Sequence, residues 1–284
     1  MHAMSALQVP ARPFFLDASP GRRFVLFHAP APQTECRGAI IYVPPFGEEM
    51  NMSRRMAAQQ ARAFTAIGFA VLQIDLFGCG DSSGDLRDAQ WEIWKQDLVH
   101  AIAWVRHHAS SRIILWGLRL GATLAIELAR SSPYPVEGCI AWQPIISGEQ
   151  YVTQLLRMRQ AADMVATEAL EGGTVQTLRT ALKEGKIVEV GGYELPPALV
   201  ADFDHIDLGT LDGLPCPVHW LEMTRSENAS IPAARMDTVN AWIDRGIDVR
   251  VQSIAGPSFW GTREVVECPA LISTSVQLLR EAIA

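Results

Sequence analysis

The residues with the clearest chemical meaning form a Gly-x-x-x-Gly frame, Gly117-Leu118-Arg119-Leu120-Gly121. An apolar run ends at this frame and an amphipathic stretch begins after it. That is the pattern of the nucleophile elbow G-x-S-x-G, a sharp strand-to-helix turn that presents a catalytic serine. Here the central residue is Arg119, whose guanidinium stays protonated in proteins and cannot attack a carbonyl carbon. The frame therefore predicts the turn without its usual nucleophile.

The elements that must position this turn follow a regular alternation. Apolar runs typical of strands buried on both faces of a sheet alternate with amphipathic helical stretches. The strand-like runs are residues 39–43, 69–74, 113–116, 136–142, 217–223 and 249–254. Such alternation predicts an α/β fold with a mostly parallel central sheet, right-handed crossovers and flanking helices. Two earlier runs, residues 13–16 and 23–28, predict an opening antiparallel hairpin.

The alternation stops between residues 148 and 205. Two helical stretches, residues 149–170 and 175–183, precede a hairpin-like segment at residues 187–195. Because doubly wound sheets bind ligands at the carboxyl edge of their strands, we interpret this insertion as a helical cap above that edge. The predicted domains are a core of residues 1–147 and 206–284 and a cap of residues 148–205.

Composition limits the classes of function. The 284-residue chain has a formal charge of −7 and a pI near 5.5, which argues against nucleic acid as a partner. Five cysteines at scattered spacings predict free thiols in a reducing compartment. The chain shows no signal-peptide pattern and no apolar run of about 18–20 residues, so we expect a cytoplasmic protein without a membrane span. We predict no metal site and no cofactor, and a homodimer is compatible with the sequence.

With the elbow, the glycine-rich loop after residue 75 and the late insertion in view, the chain resembles the α/β-hydrolase superfamily. More narrowly, it resembles the second type of exosortase A system-associated hydrolase, bacterial proteins found beside genes for exopolysaccharide assembly and C-terminal protein sorting. The sequence segments that carry the resemblance are PPFGEEMNMSRRM at residues 44–56, GCGDSSGD at 78–85, WEIW at 91–94 and WGLRLG at 116–121. The resemblance implies an α/β-hydrolase fold with a cap, and it links the protein to those gene clusters.

The resemblance also implies where a catalytic triad would stand, in the order Ser, acid, His. No histidine follows His219, and Ser258 occupies the slot that the superfamily gives to the catalytic histidine. Counting back from Ile231-Pro232, Asn228 occupies the slot of the acid. The three triad-equivalent positions are thus Arg119, Asn228 and Ser258, none of which suits its usual role. We therefore predict no catalytic residue from this motif.

Other residues with nucleophilic or basic side chains have simpler interpretations. Cys79 stands among glycines and is read as a small buried residue. Ser82 and Ser83 follow an aspartate and are read as turn or helix caps. His219 lies inside an apolar strand and is read as a core histidine.

The loop after the third strand carries Glu48 and Glu49, close to the elbow in the predicted fold. A salt bridge from Arg119 to either carboxylate would fill the inactive site as a structural plug. Alternatively, Arg119 would clamp a carboxylate or phosphate of a ligand under the cap. In that case further predicted ligand contacts are Phe46, Leu120, Trp142, Phe259 and Trp260.

Two functions of different classes follow. The residues favour a binding or scaffold protein that keeps the pocket for a small anionic or lipid-like ligand, or for a protein partner. The family resemblance favours the alternative, a genuine hydrolase of ester, thioester or peptide bonds that uses a mechanism without the triad. In either case we expect it to be inactive as a conventional serine hydrolase.

Overall fold

The computed structural model describes residues 9–281 except 33, 166–172 and 263. A central sheet contains eight strands in the order β1-β2-β4-β3-β5-β6-β9-β10. The strands, together with the separate hairpin of β7 and β8, are β1 Arg12–Asp17, β2 Arg22–His28, β3 Gly38–Val43, β4 Phe69–Ile74, β5 Ile113–Leu118, β6 Gly138–Trp142, β7 Val188–Val190, β8 Tyr193–Leu195, β9 Val218–Thr224 and β10 Val249–Ala255. Strands β3 to β6, β9 and β10 run parallel, while β1 and β2 form the predicted antiparallel hairpin at one edge.

Helices cover both faces of this sheet. They are α1 Glu48–Ala66, α2 Trp91–His108, α3 Leu120–Ser131, α4 Gly148–Val165, α5 Val175–Lys183, α6 Pro197–Asp204, α7 Ala233–Asp244 and α8 Pro269–Glu281. One core cluster joins the sheet to α2, α3 and α7, and a second joins its other face to α1 and α8. Strand β3 is buried along all six residues, because helices cover both sides of it. The fold class predicted from the alternation is therefore confirmed.

The segment between β6 and β9 departs in detail from its prediction. Helix α4 ends at Val165 in the described part of the chain, and residues 166–170 of the predicted helix lie outside it. Helix α6 was not predicted, because its eight residues, preceded by Pro196 and beginning with Pro197, show too little periodicity. The β7–β8 hairpin confirms the hairpin-like segment, but each of its strands has only three residues.

This inserted segment lies against the elbow side of the molecule. Helix α4 brings Tyr151 over the guanidinium of Arg119, and Phe203 of α6 packs edge-on against Phe46 after β3. The backbone N–H of Trp91 donates to the carboxylate of Asp202, which ties α6 to the start of α2. These contacts fit a cap above the carboxyl edge, although the division into core and cap stays a prediction. Among the described residues, no helix is both long and apolar enough to cross a membrane.

Candidate functional site at the elbow

Arg119 occupies a strained turn between β5 and α3, as the glycine frame predicts. Its backbone has φ 55° and ψ −121°, a conformation that side-chain-bearing residues rarely adopt. A Cβ on Gly117 would come within 2.5 Å of the backbone of Ala122, and one on Gly121 would collide with the carbonyl oxygen of Pro44. Both glycines are thus required by close backbone approach, and the turn holds Arg119 where a serine nucleophile would stand.

The Arg119 side chain is buried and paired. Its Nε donates to Oε1 of Glu49 at 3.0 Å, and only 7% of its side-chain surface is exposed. Its Cζ lies 5.8 Å from the ring centroid of Tyr151 and 5.5 Å from that of Trp260, within cation–π range. Glu49 sits in the first turn of α1, one residue after the exposed Glu48, which instead hydrogen-bonds Asn51. Of the two predicted partners, the structure therefore selects Glu49.

Burial governs the protonation of this cluster. Desolvation raises the pKa of Glu49, while Arg119 and the Tyr151 hydroxyl oppose that rise. Burial and the neighbouring Glu49 raise the pKa of Tyr151 well above its usual value. Tyr151 therefore stays protonated near neutral pH and donates its O–H to Oε2 of Glu49 at 3.4 Å.

A second buried ion pair lies nearby, and sequence reasoning missed it. Glu222 of β9 has 1% of its side chain exposed and pairs with Nε of Arg235 on α7 at 2.6 Å. It also accepts hydrogen bonds from Nε1 of Trp220 at 2.9 Å and from Nε2 of Gln143 at 2.8 Å. The signal for this cluster was the glutamate inside the apolar run at residues 217–223.

Gln143, which follows β6, holds this second pair in place. Apart from Arg119, it is the only non-glycine residue with positive φ in the described chain, at 47°. Its Oε1 accepts from the backbone N–H of Met223 at 2.6 Å while its Nε2 donates to Glu222. Strained backbone at both Arg119 and Gln143 concentrates at one edge of the sheet, where functional sites commonly store it.

A cavity of about 520 Å³ opens between these two ion pairs and α4. Its volume falls within the range of small-molecule sites. Three arginines line it together with mostly polar neighbours: Arg119, Arg157, Arg235, Ile145, Ile146, Ser147, Glu149, Gln150, Tyr151, Thr153 and Gln154. The elbow arginine thus faces an open space rather than a packed core.

A family model described as Hydrolase_4, serine aminopeptidase S33, matches residues 34–184, which is just over half of the chain. The chain belongs to this family. No curated protein sequence is significantly similar to it.

Solved structures agree on the fold. Est1E from Butyrivibrio proteoclasticus, with ferulic acid bound, is 14% identical, with 95% of this chain and 99% of that chain covered and a TM-score of 0.67. Mouse alpha/beta hydrolase domain-containing protein 10 is 20% identical, with coverage of 96% and 98% and a TM-score of 0.61. Proline iminopeptidase from Mycobacterium smegmatis is 15% identical, with coverage of 95% and 98% and a TM-score of 0.62. At these identities the likeness establishes the α/β-hydrolase fold alone.

Within this S33-family fold, the other two triad-equivalent residues make no hydrogen bond with the Arg119 side chain among the described contacts. Asn228 is exposed in the turn after β9, and Ser258 is exposed in the loop after β10. Neither is among the contacts of the Arg119 side chain described above. The loop after β10 instead brings the ring of Trp260 to the guanidinium, two residues after the slot of the catalytic histidine.

Two predicted pocket residues belong to the core. Trp142 and Phe259 are 1% and 0% exposed and pack on the face of the sheet that α1 and α8 cover. Trp142 donates its Nε1 to Oγ of Ser275 on α8 at 3.0 Å. Neither is among the residues that line the cavity, and their role as ligand contacts stays a prediction. Phe46 and Leu120 are buried beside the elbow and line a narrow apolar gap of about 10 Å³ instead.

The remaining candidates have structural surroundings. Burial raises the pKa of Cys79 to about 12, which keeps its thiol protonated and unsuited to attack. Ser82 and Ser83 accept backbone N–H bonds from Phe24 and Arg22, so they fasten a loop to β2. Burial lowers the pKa of His219, which is half-buried within β9.

Proposed function

We propose that this S33-family chain has no serine-hydrolase activity and uses the cavity beside Arg119 to bind a small ligand. One observation carries the proposal. The backbone position that would present a nucleophilic serine holds a buried arginine, fixed by Glu49 and by two aromatic rings. A guanidinium at this point can hold an anion but cannot form an acyl intermediate.

The surroundings of Arg119 support this role further. A serine placed there would still lack a general base, since no histidine follows His219 in the sequence. The ion pair with Glu49 consumes one of the five N–H donors of Arg119 and leaves four on the Nη atoms. The plug and clamp interpretations are thus compatible, because the Nε edge of the guanidinium can pair with Glu49 while the Nη atoms hold a ligand.

A second candidate function rests on Glu49. Burial raises its pKa, and its carboxylate contacts two residues that line the cavity, Arg119 and Tyr151. A carboxylate of raised pKa can act as a general base toward water, as a hydrolase of ester, thioester or peptide bonds without the triad would require. Its ion pair with Arg119 opposes this role, because the positive charge lowers the basicity of the carboxylate.

We also propose a role beside exopolysaccharide assembly or C-terminal protein sorting, on the resemblance to exosortase A system-associated hydrolases. The partners Glu49 and Arg119 come from two of the sequence segments that carry this resemblance, residues 44–56 and 116–121. The distinctive part of the resemblance therefore coincides with the altered site. Deleting the gene in its host should reduce secreted exopolysaccharide or the sorting of tagged substrates, and unchanged levels of both would contradict this role.

The test of the main proposal is activity-based labelling. We expect neither the wild type nor Arg119→Ser to be labelled by a fluorophosphonate or to hydrolyse p-nitrophenyl esters, because both lack an activated serine. Stoichiometric labelling of the wild type, mapped to one serine and lost on its mutation, would overturn the proposal. Ester hydrolysis without labelling that disappears in Glu49→Gln but persists in Glu48→Gln would establish the second candidate.

A further inference from the structure

Arg119 and Arg235 present unused donors to the same cavity. We propose that they bind one oxyanion group, a carboxylate or a phosphate, of a hydrophilic ligand, with Arg157 at the cavity mouth. This inference rests on the proposed binding role of the cavity and specifies the chemistry of its ligand. It also adds Arg157 and Arg235, which the sequence motifs did not single out.

The first support is the unsatisfied edge of Arg119. Its side chain is 7% exposed, yet Nη1 and Nη2 make no hydrogen bond to any residue in the described part of the chain. The rings of Tyr151 and Trp260 contact the guanidinium but accept no conventional hydrogen bond from it. Neither Nη atom is among the fully buried polar atoms without a partner, and Arg119 lines the cavity, so an anion there can reach donors that the protein leaves unused.

The second support is Arg235, which repeats the arrangement. Its Nε pairs with Glu222 and its Nη1 donates to the carbonyl oxygen of Pro144 at 2.7 Å. Its Nη2 has no hydrogen-bond acceptor among the described residues, and its side chain is 16% exposed. Burial lowers the pKa of Arg235, and repulsion from the positive charge of Arg119 lowers it further. An oxyanion placed there would relieve this repulsion.

Both arginines are held before any ligand binds. Glu49 fixes the Nε edge of Arg119, and Glu222 with Pro144 fixes two donors of Arg235. Side chains that are already ordered lose little entropy on binding, so their remaining donors can be used at full strength. Planar guanidinium donors match the geometry of carboxylate and phosphate oxygens.

The rest of the cavity specifies a hydrophilic ligand rather than a lipid-like one. Ser147, Gln150 and Gln154 contribute hydroxyl and amide groups to its lining. Glu149 and Arg157, both exposed, stand on helix α4 at the mouth. A volume of about 520 Å³ accommodates a sugar-sized anion with its hydroxyl groups, whereas a long acyl chain would face polar side chains along its length.

The experiment compares three probes of similar body and different charge, namely glucose, glucuronate and glucose 6-phosphate. Binding to the full chain is measured by calorimetry at constant ionic strength. We expect glucuronate or glucose 6-phosphate to bind and glucose to bind at least about tenfold more weakly, because a charge-assisted hydrogen bond contributes that much. Stronger binding of the phosphate or of the carboxylate identifies which anion the site prefers.

Matched variants locate the site. Arg119→Gln, Arg235→Gln and Arg157→Gln should each weaken binding of the anionic probe, by at least about tenfold for the two buried arginines. Arg112→Gln, at an exposed position before β5 at the opposite end of the sheet, is the control and should bind as the wild type does. Arg157 is exposed, so its variant folds even where a buried variant does not.

Absence of binding for both anionic probes would overturn the inference, as would equal binding of glucose. Anion binding that persists in Arg157→Gln and Arg119→Gln would place the ligand elsewhere and overturn it as well. Labelling by a fluorophosphonate is a separate readout. It would overturn the proposed function, whereas loss of anion binding without labelling overturns the oxyanion site alone.

Discussion

Two buried arginine–carboxylate pairs of this protein have different surroundings. Arg23 and Asp97 are 0% exposed and lie 2.7 Å apart, with Nη1 of Arg23 donating to the carbonyl oxygen of Pro20 at 2.6 Å. Arg119 and Glu49 are 7% and 17% exposed, and Arg119 lines a cavity. Nη2 of Arg23 also has no acceptor among the described residues, so an unpaired donor alone does not define a site. What distinguishes Arg119 is the space in front of it.

The largest effect is expected at the closed pair. Arg23→Ala should lower the free energy of unfolding by about 3–5 kcal/mol, because it strands the carboxylate of Asp97 in the core. No added anion should restore the lost stability, since both side chains of the pair are fully buried and an anion cannot reach them. Chemical denaturation of the variant with and without glucuronate or phosphate measures both the loss of unfolding free energy and any recovery by the anion. A loss below about 1 kcal/mol, or a rescue by anions, would remove the distinction between the two pairs.

A smaller effect is expected at the open pair. Arg119→Ala should cost about 1–3 kcal/mol, because the stranded Glu49 can take up a proton or meet water from the cavity. The double variant Arg119→Ala/Glu49→Gln should recover part of this cost relative to Arg119→Ala, since it removes both charges. Denaturation curves for the two single variants and the double variant give the coupling energy. A loss as large as that of Arg23→Ala would make Arg119 a purely structural plug.

The smallest effect is a pH dependence. Burial raises the pKa of Glu49 above its ordinary 4.5, so the folded protein holds this proton more tightly than the unfolded chain. The stability that the protonated Glu49 gives to the fold is therefore fully present below about pH 4.5 and is lost as the pH rises through the folded pKa. The stability of the wild type relative to Glu49→Gln should fall over that range. A rise in this difference with pH would mean that pairing with Arg119 outweighs desolvation.

Local sequence determined the framework of the fold and the altered turn. Apolar runs separated by amphipathic helices leave few arrangements other than a parallel sheet, since each run must be covered on both faces. Gly117 and Gly121 likewise indicate a crowded turn, since only glycine fits so close to neighbouring backbone. That turn places Arg119 immediately before α3. These features depend on neighbours along the chain, and for that reason they can be predicted from it.

Tertiary structure alone decided which side chains meet at the site. Glu49 rather than Glu48 reaches Arg119, because successive residues of α1 point about 100° apart around the helix axis. Trp142 faces α8 instead of the cavity, since successive residues of a strand point to opposite faces of the sheet. The Glu222–Arg235 pair depends on how β9 and α7 pack together, and no spacing in the sequence encodes that packing. Residue types thus revealed that the chemistry had changed, whereas the meeting of three arginines at one cavity is a property of the folded chain.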